Sequence, residues 1–169
     1  AVPANFNVDD FYQTLVCFEK GFKGIVDLEA ICYESVSEDI SEEFRRKRRI
    51  SKGNFQNLAR FWKYLQPWNC GVSTFFAFWS HKGLRWFGPW LLILWTVSSL
   101  LLASFGYLIY QIAVAGFAAT IVAMGIDKFM ETYSKNKRIS LFKFVRYFYA
   151  MNAALFLGSI EFCMGVKNS

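Results

Sequence analysis

From Trp86 to Ile126 the chain carries no charged side chain, and that run constrains the fold more than any other feature. Its 41 residues are roughly twice the ~20 that a helix needs to cross a bilayer. A soluble domain has no use for so long an uncharged stretch. In hydrocarbon the backbone must satisfy its own hydrogen bonds, which favours helices. The chain is 54% hydrophobic and 20% aromatic, high for a water-soluble domain of this size. The pattern predicts spanning helices at about 84–105 and 108–126, with a tight turn at Gly106 between them. A third is expected at about 142–164, with Lys143 and Arg146 in its first turns and Glu161 near its far end. Ala115, Ala119 and Ala123 recur at four-residue intervals, a small-residue face suited to close helix packing.

Charge gives the expected orientation. Of the 19 basic residues, 12 lie at or before Arg85 and six between Lys128 and Arg146, while the Gly106 turn has none. Positive residues gather on the cytoplasmic side of membrane proteins. Both basic regions are therefore expected inside, Gly106 outside, and, after three crossings, Glu161 near the outer headgroups and the C-terminus outside. A basic cluster beside membrane spans fits lipid headgroups better than nucleic acid, which is excluded as a partner. Trp62, His81, Lys82, Arg85 and Trp86 read as anchors at the membrane interface. Cys17, Cys32, Cys70 and Cys163 are widely spaced, without metal-ligand spacing, and read as ordinary reduced cysteines. The sequence begins with Ala1 and shows no signal-peptide pattern, as expected for a piece of a longer protein.

The first 83 residues are more polar. Asp9 to Lys20 has helical spacing, with Asn7 or Asp9 as a cap and Gly21 as a stop. Phe22 to Tyr33 reads as extended, so the two together resemble one helix-then-strand step of an α/β domain. Ser37 to Gln66 starts acidic and runs into five consecutive basic residues, Arg45 to Arg49, a charge order that suits the helix dipole. Beyond Gly53, Phe55, Leu58, Phe61, Trp62 and Leu65 make the pattern amphipathic. Asn54 to Gln66 is expected to lie on the membrane surface and to end at Pro67. Val72 to Trp79 is apolar but too short to span, and reads as a second interfacial or re-entrant piece.

Three motifs in order carry a resemblance. NFNVDDF (Asn5 to Phe11) is followed by EEFRRKRRISKGNFQ (Glu42 to Gln56) and then by WSHKGLRWFGPW (Trp79 to Trp90). The chain resembles the C-terminal part of membrane-bound family-2 glycosyltransferases, the group of cellulose, hyaluronan and poly-N-acetylglucosamine synthases. Those enzymes carry a TED-type acidic motif, then QxxRW on an interfacial helix, then transmembrane helices. The resemblance implies a remnant of a GT-A-like α/β domain over 1–53, amphipathic interfacial helices over 54–83 and a transmembrane region over 84–169. It also implies inverting sugar transfer from a nucleotide-sugar donor to a polysaccharide or glycan acceptor at the inner face of a bacterial cytoplasmic membrane.

Residue by residue, the resemblance makes Asp10 the general base on the acceptor hydroxyl, with Asp9 in support. A positioned carboxylate accelerates such a step roughly 10²–10⁴-fold. Arg46, Arg49 and Ile50 occupy the Q, R and W positions, and only the arginine is conserved in type. Arg49 could bind the donor diphosphate, where a guanidinium fork suits phosphate oxygens. Ile50 cannot stack on a sugar as the family tryptophan does, a departure that counts against processive polymerisation. The family binds donor and a divalent metal (Mg or Mn) through acidic motifs that include a DxD. This sequence has no DxD and no glycine-rich phosphate loop, so these residues alone are expected to hold no metal or cofactor and to be inactive. The alternative reading is a membrane anchor or interaction module without chemistry.

Overall fold

The computed structural model describes residues 8–25, 27, 29–33, 39–133 and 139–165. Of these, 82% are helical, and no strand occurs among them. The helices are α1 (Asp9–Glu19), α2 (Ile40–Phe61), α3 (Pro67–Cys70), α4 (Val72–Phe78), α5 (Leu84–Ser104), α6 (Leu108–Tyr133) and α7 (Ser140–Cys163), with a π-helical turn over Trp79–Gly83. They form two compact units, residues 1–87 with 154–169, and residues 88–153.

The first unit is organised around α2. Its start is fixed by Asp39, whose carboxylate accepts from the Ser41 backbone N–H at 2.9 Å and from the Ser41 hydroxyl at 2.6 Å. These bonds, the side-chain one first, hold the Asp39 carboxyl below its ordinary pKa. Glu42 and Glu43 follow in the first turn, where the helix dipole favours acid. From Ser51 to Leu58 the helix is buried on nearly every face. Two neighbours cover it. α1 meets the face carrying Gly53, Asn57, Arg60 and Phe61: Asn57 Nδ2 donates to the Val8 carbonyl at 3.2 Å, Arg60 pairs with Glu19 at 3.6 Å, and Tyr12 packs edge-on against Phe61 at 5.4 Å. α7 meets the face carrying Arg48, Ser51 and Phe55. There the Ser51 hydroxyl donates to the Leu155 carbonyl at 2.7 Å, Arg48 pairs with Glu161, and Phe55 stacks on Phe162 at 6.1 Å. Gly158 makes the second approach possible, since a Cβ there would overlap the Arg48 carbonyl and lie 2.6 Å from Ser51 Cβ.

Leu15, Phe55, Leu58, Phe61, Leu65, Phe78 and Trp86 form the core of this unit. Pro67 opens α3, and Gly71 (φ 83°) turns the chain into α4. α4, the π turn and α5 then run without a break, so that Val72–Ser104 is one rod of 33 residues. The Trp79 ring lies against Gly83, where a Cβ would stand 3.0 Å from Trp79 Cδ2.

The second unit contains an antiparallel hairpin of α5 and α6 about Gly106 (φ 88°). Gln111 Nε2 donates to the Ala103 carbonyl at 3.4 Å, and further down Trp95 meets Phe117 edge-on at 6.4 Å. Among the described residues, the rod and α6 are the two helices long and apolar enough to cross a membrane. Only 11% of the most apolar window of the first, and 0% of the second, is buried, so neither is the core helix of a soluble protein.

Several expectations are corrected. No strand forms among the described residues between Phe22 and Tyr33, so no α/β remnant is present there. Ile25, Ile31 and Tyr33 are exposed, and an extended segment without a neighbouring strand has no ladder to join. Asn54 does not begin a surface-lying helix. It sits inside continuous α2, and Phe55, Leu58 and Phe61 point into a protein core rather than lipid. Helix α2 ends at Phe61, and Pro67 starts the next helix instead of ending this one. Val72 to Trp79 is not a separate piece but the base of the α5 rod. α6 continues past Ile126 to Tyr133. α7 is a 24-residue helix, as expected in length, but it is not among those apolar enough to span.

Phe61 is 0% exposed, and truncation of such a ring costs about 3–5 kcal/mol. Phe61→Ala should therefore lower the thermal unfolding midpoint of the detergent-solubilised protein sharply, whereas Trp62→Ala, at a half-exposed position, should barely move it.

Candidate functional site

The acidic turn at the start of α1 is tied to α2 through Val8. The Val8 carbonyl takes the Asn57 amide, and its side chain rests on Gly53, where a Cβ would stand 3.0 Å from both Val8 Cβ and Val8 N. Any residue larger than glycine at position 53 would push this turn away. Within the turn, Asp9 Oδ1 accepts from the Asp10 N–H at 3.1 Å, and Asp10 Oδ1 accepts from the Phe11 N–H at 2.7 Å. Both aspartates remain exposed. The next residue turns inward: the Phe11 ring meets Trp86 edge-on at 5.7 Å and stacks on Phe78 at 6.5 Å. Lys82 stands over the same ring with its Nζ 4.8 Å from the centroid. Asp10 is thus anchored between α2 and the base of the α5 rod.

Arg49 lies four residues before Gly53, hence on the same face of α2, the one that meets α1. The basic run around it is largely committed. Arg45 lies in the field of Asp39, Arg46 and Lys47 approach Glu43 at 3.9 and 3.3 Å, and Arg48 holds Glu161. Arg49 is exposed and has no carboxylate partner among the described residues. An exposed guanidinium on α2 and two exposed carboxylates on α1 offer an anion-binding group and a proton acceptor on neighbouring elements.

The other singled-out residues lie elsewhere. Arg46 is tied to Glu43, and Ile50 is half-buried. His81 and Arg85 are exposed around the π turn. Trp62 is half exposed and packs edge-on against Trp79 at 6.2 Å. Trp86 is not a surface anchor: at 2% exposure it is core, because the π turn swings that face of the rod onto α1 and α4. Glu161 is held by Arg48 of α2 rather than standing alone in a headgroup zone. All four cysteines are free, and burial pushes the Cys70 thiol up, so it stays protonated near neutral pH. Among the described residues no group of three or more His, Cys, Asp or Glu could hold a metal ion.

Two features went unread in the sequence. Ser51, Lys52, Asn54 and Asn57 are buried polar residues on one helix, and the approach of α1 and α7 makes them so. Asp127, the first charge after the apolar run, is 0% exposed and takes Arg146 Nη1 at 3.2 Å, while Glu131 takes the same atom at 2.5 Å. The i,i+4 spacing of Asp127 and Glu131 on one helix face was the available signal.

Removing one member of a buried ion pair costs about 3–5 kcal/mol, because the remaining charge is left desolvated. Arg146→Met should destabilise the detergent-solubilised protein on that scale in a chemical-denaturation series. The double variant with Asp127→Asn should recover most of the loss.

No family model matches the chain, and no curated protein and no solved structure matches it either.

Proposed function

We propose that these residues are the acceptor-side, membrane-proximal part of a membrane-bound family-2 glycosyltransferase. One observation carries the reading: Val8 docks on Gly53 and Asn57, so the turn with the exposed Asp10 starts at the face of α2 that also bears Arg49, which has no carboxylate partner among the described residues. The acidic motif and the arginine that the resemblance would bring to one site are brought to one pair of packed helices.

In this reading Asp10 accepts the proton of an acceptor hydroxyl as its oxygen attacks the anomeric carbon of the donor sugar. The new C–O bond forms on the face opposite the leaving group. The old bond to phosphate oxygen breaks, and the nucleoside diphosphate departs with the electron pair. Arg49 steadies the charge developing on that diphosphate, and Asp9 supports Asp10 as a second exposed acid in the same turn. Attack from the far face inverts the anomeric centre. Binding of the nucleotide-sugar falls to a donor domain outside these residues, so the 169 residues alone do not turn over. Helices α5 and α6 embed the protein in a bacterial inner membrane, with the basic α1–α2 side cytoplasmic.

The test is sugar transfer by the complete protein carrying the donor domain. Asp10→Asn should lower kcat by roughly 10²–10⁴-fold with membrane insertion unchanged. Arg49→Gln should chiefly raise the KM for the nucleotide-sugar. Full activity in the Asp10→Asn protein would sink the enzyme reading and leave these residues as a membrane anchor.

A further inference from the structure

We infer that the candidate site takes an anionic lipid as its acceptor: Lys82 binds the headgroup phosphate, so that a hydroxyl of the same headgroup lies at Asp10. Three residues spaced four apart on the rod touch one ring, that of Phe11. Phe78 stacks on it at 6.5 Å, Trp86 meets it edge-on at 5.7 Å, and the Lys82 ammonium stands 4.8 Å from its centroid. In a regular α-helix, residues four apart drift about 40° round the axis at each step. The π turn over Trp79–Gly83 takes up that drift: the Leu84 N–H bonds the Trp79 carbonyl, one residue further back than in an α-helix. Gly83 permits the turn, because a Cβ there would strike the Trp79 ring. Phe11 directly follows Asp10, so the π turn delivers a cation to the acidic turn of α1.

Packing does not require a cation at this position. Phe78 and Trp86 are buried and already hold the ring, while Lys82 between them stays exposed. Neither Lys82 nor Arg85, an exposed cation three residues on, has a carboxylate partner among the described residues. No Asp or Glu occurs anywhere from Phe44 to Ile126. The charge on Lys82 is therefore open to an anion from outside the chain. In an inverting displacement the attacking hydroxyl and the departing diphosphate lie on opposite faces of the anomeric carbon, and are served from different sides. Arg49 is on the face of α2 that receives Val8, two residues before Asp10, whereas Lys82 stands over Phe11, one residue after it. With Arg49 on the diphosphate, Lys82 is on the acceptor.

The place of the lysine in the chain names the class of acceptor. Lys82 comes four residues before Trp86, where the uncharged run begins. A cation at such a border reaches the headgroup phosphates of a membrane, and a phosphate there forms a charge-assisted bond with an ammonium. The lipid hydroxyl attacks the anomeric carbon, its proton passes to Asp10, and the nucleoside diphosphate leaves with the electron pair.

This role of Lys82 rests on the transferase reading, and two measurements keep them apart. In the full chain, solubilised in neutral detergent, lysines are acetylated with an amine-reactive ester and scored one by one by mass spectrometry. Dihexanoyl phosphatidylglycerol, whose headgroup carries a phosphate and free hydroxyls, should slow labelling of Lys82 about fivefold at about four times its Kd. The exposed Lys63 should be unaffected, and dihexanoyl phosphatidylcholine and inorganic pyrophosphate should protect neither lysine. Protection by pyrophosphate would assign Lys82 to the leaving group, protection by phosphatidylcholine would show mere coverage by a lipid tail, and equal protection of Lys63 would show a general ionic coat. Each of these overturns the proposal, as does no protection at all. The second measurement is transfer from radiolabelled nucleotide-sugars by the complete protein, reconstituted in phosphatidylcholine vesicles with and without phosphatidylglycerol. Label should enter the lipid phase only with the anionic lipid. Lys82→Gln should raise the KM for that lipid about tenfold, the equivalent of one bond to a charged group, with kcat nearly unchanged, and Lys82→Arg should restore it. Label confined to a water-soluble product would contradict the lipid acceptor. No transfer into either phase, with Lys82 still protected, would sink the transferase reading and leave the lipid-phosphate site in place.

Discussion

The burial of α2 on two opposite faces is the constraint from which the rest of the first unit follows. A helix with Arg45 to Arg49 at one end does not sink into a core by hydrophobicity. It is covered because each of two neighbours finds a glycine at the crossing, Gly53 on α2 itself for α1 and Gly158 on α7. At such distances the backbones approach closely enough for side chains to bond carbonyls across the joint, Asn57 to Val8 and Ser51 to Leu155. Each such bond contributes about 1 kcal/mol net, but leaving its buried donor unmet costs about 1–3 kcal/mol. The polar residues therefore act less as stabilisers than as register marks: a slide of α1 or α7 by one residue would strand them. Asn57 Oδ1 already stands buried without a hydrogen-bond partner among the described residues, so little slack remains on the α1 side.

The placement of charge follows from the same geometry. The five basic residues stay at the solvent-facing end of α2, and acids on two helices, Glu43 of α2 and Glu161 of α7, bind three of them, while Arg45 lies in the field of Asp39. What is left over, Arg49, is left by geometry: its face points to α1, whose own acids Asp9 and Asp10 spend one oxygen each on backbone N–H groups of their turn. Those bonds hold the carboxylates in place without neutralising them. At the other boundary Arg146 is shared between Asp127 and Glu131. An arginine serves both because its fork presents several donors at fixed angles, which a lysine point charge does not.

Much of the helical skeleton was legible from residues alone. The uncharged run located α5 and the start of α6, since Arg85 and Asp127 bound it and Gly106 breaks it. Gly21 (φ 85°) stops α1 as read, but Asp9 does not cap it: Val8 holds the cap position without a side-chain bond, and Asp9 lies in the first turn. What could not be read was which apolar face meets protein and which meets lipid. Phe55, Leu58 and Phe61 have the same spacing whether their partner is Tyr12 and Phe162 or an acyl chain, and hydrophobicity does not distinguish the two solvents. The strand expected after Phe22 failed for the complementary reason: β-propensity describes a pleated surface with neighbours, and none is present among the described residues. In the candidate site, Asp10 and Arg49 could be named from motif order, but the docking of α1 on α2 depends on Val8 and Gly53. The short Val8 side chain and the bare Gly53 backbone carry no chemistry of their own and so escape a search for reactive residues.

The long-range ion pair of Arg48 with Glu161 ties the end of α7 to α2. An acid near the end of an apolar helix is as compatible with the outer headgroups as with the inner ones, and the positive-inside rule is nearly blind to carboxylates. What decides is the partner. A half-exposed pair of this kind contributes little to stability, about 0–1 kcal/mol, so it does not by itself hold α7 on α2. Its value is as a marker: Arg48 and Glu161 meet only if the end of α7 packs beside the basic helix. The holding is done by the stacking of Phe55 on Phe162 and the close approach at Gly158, where burial of apolar surface outweighs the pair. Helix α7 thereby braces the helix that carries Arg49, whose placement is set by how the end of α7 packs as much as by α1.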